Sequence, residues 1–121
     1  MTKVLVIEDN KLIRDTILNL LYSRGMSAIA AEDGRRGLQL AKEIIPDVIL
    51  CDVRMPELSG YEVLSDLRQD PITATIPFIF LTAETKKEAI NQGQILGANG
   101  YLNKPFTTAQ LLSAIAPYLK E

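Results

Sequence analysis

Three short runs of uninterrupted apolar residues, Val4–Ile7, Val48–Cys51 and Phe78–Leu81, limit what this chain can fold into more than any other feature. A strand with one wet face alternates apolar and polar side chains, whereas one that is apolar throughout is buried on both faces, as in a parallel sheet covered by helices. Two weaker runs, Ala28–Ala31 and Tyr101-Leu102, read as edge strands. Between them, Leu12, Ile13, Thr16, Ile17, Leu20 and Leu21 share one face of a helix that ends near Gly25, and a second helix follows Asp33-Gly34 and stops before Pro46. Three further helix starts carry a capping box, at Ser59-Gly60-Tyr61-Glu62, Thr85-Lys86-Lys87-Glu88 and Thr107-Thr108-Ala109-Gln110. The helix opening at Thr85 is rich in polar residues and is expected to be the most solvated; the last is expected to bury Leu111, Leu112, Ile115 and Leu119. The pattern predicts a strand–helix unit repeated five times, an α/β fold of (βα)5 type with an open, doubly wound parallel sheet. With 121 residues and neither a linker nor a low-complexity segment, residues 1–121 are expected to form a single domain.

Composition narrows the chemistry. The chain has no histidine, which excludes Ser-His-Asp triads, Cys-His pairs, His-ligated zinc and phosphotransfer through a histidine of its own. Its single cysteine, Cys51, has no internal disulfide partner; beside Asp52 but pointing to the opposite face of its strand, it reads as a small buried hydrophobe. A net charge of −2 provides no basic field for nucleic acid or an acidic membrane. No run approaches the ~18 apolar residues of a membrane span. The apolar stretch before Glu8 is too short for a signal peptide, so the cytoplasm is the expected compartment.

The reactive side chains gather at strand ends. Glu8 and Asp9 follow the first strand, Asp52 ends the third, Thr82 ends the fourth and Lys104 follows the fifth. All strand C-termini of a parallel sheet share one edge, and open α/β sheets bind ligands there, at the reversal of strand order. If the order is 2-1-3-4-5, the first and third strands adjoin at that reversal and Glu8, Asp9 and Asp52 converge. Three carboxylates in one cleft repel each other, which raises at least one pKa unless a cation neutralises them. Mg²⁺ is the natural resolution, since it binds through one or two carboxylates, waters and a phosphate. Carboxylate, Mg²⁺, Lys ammonium and Thr hydroxyl together suit phosphoryl transfer, with a carboxylate as nucleophile, and Asp52 is the best placed. Read alone, Glu8-Asp9 would also suit a helix N-terminus, Lys104 a solvated loop and Tyr101 simple packing on an edge strand.

Four motifs in order carry a resemblance that spans Val4 to Leu119: Ile7-Glu8-Asp9-Asn10; Asp52-Val53-Arg54-Met55-Pro56 with Gly60 beyond; Leu81-Thr82-Ala83; and Gly97-Ala98-Asn99-Gly100-Tyr101-Leu102-Asn103-Lys104-Pro105-Phe106. The chain resembles the receiver domains of two-component response regulators. That resemblance implies a flavodoxin-like sheet, with Asp52 as phosphoacceptor and Asp9 and Asp52 as direct Mg²⁺ ligands. It implies that Glu8 acts through water, that the Arg54 carbonyl completes the metal site, and that Thr82, Ala83 and Lys104 bind the phosphoryl group. It also implies a cis Lys104-Pro105 bond, and a switch in which Tyr101 turns into the space Thr82 vacates, altering the surface of the fourth helix, fifth strand and fifth helix. Departures are mild: Glu8 for the commoner Asp, Asn99-Gly100 for two acidic residues, and Asn103 for Thr. Arg54 and Glu84 stand at positions that tune phosphoryl lifetime in the family, and their opposite charges suggest that they pair across the mouth of the site.

The expected function is a phosphorylation-driven switch that takes its phosphoryl group from a histidine kinase or phosphotransfer protein. It is no conventional enzyme, but it catalyses its own phosphorylation and dephosphorylation. The alternative is a pseudo-receiver, a protein–protein module that is never phosphorylated. An aspartyl-phosphate phosphatase is disfavoured because Asp52-Val53-Arg54 lacks a second carboxylate two residues on, and a flavin carrier because no Ser/Thr/Gly loop follows Ile7. Output lies either in a downstream protein target or in a domain beyond Glu121, and a homodimer through the fourth-helix face is left open.

Overall fold

The structure is a computed structural model that describes residues 1–83, Asn91, Gln94 and residues 96–120. Its strands are β1 (Lys3–Ile7), β2 (Ser27–Ala31), β3 (Val48–Asp52), β4 (Phe78–Thr82) and β5 (Gly100–Asn103). Four α-helices lie among the described residues: α1 (Lys11–Ser23), α2 (Gly34–Ile44), α3 (Gly60–Gln69) and α4 (Thr108–Ile115), the last followed by a 3₁₀ turn at Ala116–Tyr118. The expected fourth helix, opening at Thr85, and Glu84 lie outside the described residues, so the expected fifth helix is α4 here.

All four strand pairings are parallel and the order is β2-β1-β3-β4-β5, so β1 and β3 adjoin where the winding reverses. The continuous apolar runs follow from two cores, one on each face of the sheet. Leu5, Ile7, Ile49, Cys51, Phe78 and Phe80 pack with Val63, Leu64 and Leu67 of α3, while Val4, Val6, Leu50, Ile79 and Leu81 pack with Ile17 and Leu21 of α1 and Leu111 and Ile115 of α4. Alternate residues of one strand thus supply opposite cores, which forces both to be apolar.

Helix starts obey the local signals. Asn10 and Asp33 accept from the amides of Ile13 and Arg36, and the boxes at Ser59 and Thr107 are both closed. Two expectations fail at helix ends. Leu119 is 47% exposed instead of buried, because Pro117 lacks an amide proton and turns the chain into the 3₁₀ turn before the helical period reaches it. Leu12, expected on the apolar face of α1, is 77% exposed.

Candidate functional site

The tip of β1 is pinned from three sides. The Glu8 amide donates to the Ala31 carbonyl at 3.1 Å, the Arg14 guanidinium donates to the Glu8 carbonyl at 3.0 Å, and the Asn10 amide approaches Glu8 Oε2 at 3.4 Å. The tip of β3 is held by the start of α3, whose first amide, at Gly60, donates to the Val53 carbonyl at 2.8 Å. A Cβ on Gly60 would lie 2.3 Å from the Asp52 carbonyl oxygen. Gly60, the first residue of α3, is therefore required by close approach of the helix to the strand tip.

These constraints gather the three carboxylates. Glu8, fully buried, Asp9 and Asp52 each offer an oxygen within 4.8 Å of the others. Lys104 reaches them from beyond β5, its amide anchored on the Thr82 carbonyl at 2.8 Å. Its Nζ lies 2.5 Å from Glu8 Oε1 and 3.2 Å from Asp52 Oδ2. The Lys104-Pro105 peptide is cis, as expected.

The protonation tendencies carry one message. Burial pushes the Glu8 carboxyl up, with the hydrogen bond and charge of Asp52 adding to it and Lys104 opposing. Burial pulls Lys104 down, yet its hydrogen bond to Glu8 and the charges of Asp52 and Glu8 outweigh that, and the net direction is up. Acid and base both shift toward holding a proton, chiefly through burial at Glu8 and through the carboxylates at Lys104, in a site with three carboxylates against one ammonium. The all-oxygen donor set and this surplus fit a hard divalent cation such as Mg²⁺. Cys51 has no part in it: it is fully buried, and burial pushes its thiol well above the usual range.

Asp52, Val53, Arg54, Thr82, Ala83 and Lys104 line a cleft of about 410 Å³. Thr82 is buried within it and Arg54 is exposed at its rim. Tyr101 stands apart from the cleft lining. It pairs in register with Phe80 and is half-buried, its ring stacked on that of Phe80 at 5.4 Å and 30°. The expected Arg54–Glu84 pair falls outside the described residues.

Two features escaped the sequence reading. Arg68, at the end of α3, donates to the carbonyls of Ile76 (2.8 Å) and Gly97 (3.0 Å) and to Asn99 Oδ1 (3.1 Å), while Asn99 Oδ1 also accepts from the Phe78 amide. Asn99 thus closes the sheet end from which β4 and β5 depart, a role that its local sequence does not announce. The second is an apolar groove of about 520 Å³ beside the cleft, lined by Leu12, Ile13, Thr16, Ile17, Ala83, Lys104, Pro105 and Phe106.

Comparison with known proteins gives a consistent picture. The family described as the response regulator receiver domain matches residues 4–116. The polar-differentiation response regulator DivK of Brucella ovis is 37% identical over 123 aligned positions, covering 98% of each chain. Chemotaxis protein CheY4 of Vibrio cholerae superposes with a TM-score of 0.93 at 35% identity, covering 98% of this chain and 99% of that one. The receiver domain of a sensor histidine kinase from Pseudomonas aeruginosa, solved with a magnesium ion coordinated in its active-site cleft, gives a TM-score of 0.89 at 30% identity, with coverages of 97% and 96%. The chain spans about half the length of two other curated relatives that it matches.

Proposed function

This chain belongs to the response regulator receiver domain family, and from that premise we propose that it is a switch whose state is set by phosphorylation of Asp52. Receiver domains serve phosphorylation-based two-component signalling, generally bind Mg²⁺, and interact with histidine kinases or phosphotransfer proteins. The observation that carries the assignment to this chain is the meeting of Glu8, Asp9 and Asp52 from two adjacent strand tips, with Lys104 Nζ 3.2 Å from Asp52.

Asp52 is the nucleophile. One carboxylate oxygen attacks the phosphorus of a partner's phosphohistidine, the P–N bond breaks with its electron pair leaving on the imidazole, and an aspartyl phosphate forms. Lys104 holds one phosphoryl oxygen, and the Thr82 hydroxyl and Ala83 amide bind others from the cleft wall. Glu8, Asp9, Asp52 and the Arg54 carbonyl would hold Mg²⁺, which when bound supplies positive charge against the oxygens of the transferring group. Charge neutralisation and positioning are most of what this reaction asks of a protein. The apolar groove from Leu12 to Phe106 opens beside Lys104. Occupancy of Asp52 alters the orientation of Tyr101 and the surface around β5 and α4, which a target protein reads.

Incubation with Mg²⁺ and acetyl phosphate, followed by intact mass, tests this. One added phosphoryl group is expected on the parent, and none on Asp52→Asn or in EDTA. If the parent takes up none and also fails to bind beryllofluoride, the phosphorylation reading gives way to a constitutive interaction module.

A further inference from the structure

Phe80 touches both ends of the proposed switch. It is fully buried in the middle of β4, two residues before Thr82 and on the same face of the sheet. On one side its ring stacks on Tyr101, its register partner in β5. On the other it meets the edge of Tyr61, the second residue of α3, at 5.2 Å and 63°. Its Cε1 lies 3.1 Å from where a Gly60 Cβ would stand, and that same point is 2.3 Å from the Asp52 carbonyl oxygen. The first turn of α3 is therefore wedged between the Asp52 main chain and the Phe80 ring. The contacts run unbroken from Asp52 through Gly60 and Tyr61 to Phe80 and Tyr101.

We propose that Tyr61 and Phe80 form an aromatic route that couples occupancy of Asp52 to the orientation of Tyr101, alongside the Thr82 hydroxyl; the inference rests on the receiver reading above. Movement of Thr82 creates room for the Tyr101 ring. Tyr101 lies on an edge strand with its ring against Phe80, so the position of the Phe80 ring biases which way the Tyr101 ring lies. Any shift of the Asp52–Val53 carbonyls carries the Gly60 amide with it through the 2.8 Å bond to Val53, and the Tyr61 ring follows at the next position. A close-packed ring cluster has few discrete arrangements, so a small push at one end selects between them instead of fading along the way.

The test uses ring-labelled tyrosine NMR of the whole chain with Mg²⁺ and beryllofluoride. Four tyrosine signals are expected, and that of Tyr101 is assigned by its loss in Tyr101→Phe. Beryllofluoride binding is followed separately by fluorine NMR. In the parent, Tyr101 shifts on binding. In Phe80→Leu and in the milder Tyr61→Leu, bound fluoride is retained within threefold in affinity while the Tyr101 shift falls to half or less. Tyr61→Phe, which keeps the ring, retains the full shift. A full shift in both Leu variants overturns the aromatic route, as does loss of the shift in Tyr61→Phe. A parent that binds beryllofluoride without moving Tyr101 overturns the switch reading itself, a distinct result.

Discussion

Gly60 is the position at which the fold and the site constrain each other most tightly, and Gly60→Ala puts a number on it. The new Cβ would stand 2.3 Å from the Asp52 carbonyl oxygen and 3.1 Å from Phe80 Cε1. Carbon-bound hydrogens ordinarily meet carbonyl oxygens at C···O distances of about 3.3 Å, so the overlap with Asp52 is roughly 1 Å. Neither neighbour yields easily, for one is backbone at the tip of β3 and the other is a fully buried ring. Overpacking of this kind costs up to about 3 kcal/mol. Replacing a helical glycine with alanine returns up to about 1 kcal/mol, leaving a net loss of about 2 kcal/mol. At roughly 4 °C per kcal/mol for a chain of this size, the melting temperature should fall by about 8 °C. Relief of the overlap must lift α3 from the strand tip and loosen the Gly60–Val53 bond, so phosphoryl loading from acetyl phosphate should slow at least tenfold. Urea titration and loading kinetics, run beside Gly25→Ala, provide the assay. Gly25 has φ +80° with nothing within 4 Å of its added Cβ, so that variant reports left-handed backbone strain without a clash. Parental stability and loading in Gly60→Ala would refute the wedge between Asp52 and Phe80.

Three other outcomes are expected. Asp52→Asn removes one member of a three-carboxylate cluster, relieving two repulsions at the cost of one attraction to Lys104; its melting temperature in EDTA should exceed the parent's by about 4 °C, on the order of 1 kcal/mol, while the increase that Mg²⁺ confers on the parent should shrink. Because the Glu8 carboxyl is raised in the folded state, the proton it holds stabilises the metal-free protein most fully below its ordinary value of 4.5, and that contribution is lost as pH rises through the folded-state value. Glu8→Gln should flatten this slope in metal-free urea titrations, and an unchanged slope would place the titration elsewhere. Arg68→Met removes the donor to the part-buried Ile76 carbonyl and to the exposed Gly97 carbonyl and Asn99 Oδ1, and should cost about 1 kcal/mol in the same titration, with Arg68→Lys recovering little because a single ammonium nitrogen cannot span three separated acceptors.

The parts of this molecule legible in its sequence are those fixed by short-range rules. Continuous apolar runs marked β1, β3 and β4 because each supplies both cores, and capping boxes at Ser59 and Thr107 marked helix starts because the cap is a bond between residues three apart. The gathering of Glu8, Asp9, Asp52 and Lys104 was legible too, since parallel strands bring their C-termini to one edge whatever the intervening helices contain. Helix ends were less so: periodicity continued past Pro117 assigned Leu119 to a core from which the missing amide proton excludes it.

What stayed hidden was long-range and made of ordinary residues. Arg68 looks like any basic residue at the end of a helix, and its acceptors Gly97 and Asn99 lie 29 and 31 positions away. Phe80 looks like any core aromatic. Its significance comes from Gly60, whose missing side chain lets α3 sit between that ring and the tip of β3. The sequence thus declares the groups that perform chemistry, because their chemistry restricts residue type, while the groups that transmit its outcome need only shape and contact. Shape can be met by many apolar residues, so transmission leaves little trace in one sequence and becomes visible only when the neighbours of Gly60 and Tyr101 are in place. Relatives that share the Glu8, Asp9, Asp52 and Lys104 set can therefore differ in how firmly the site is tied to its surface, and Phe80 and Tyr61 are where this chain sets that tie.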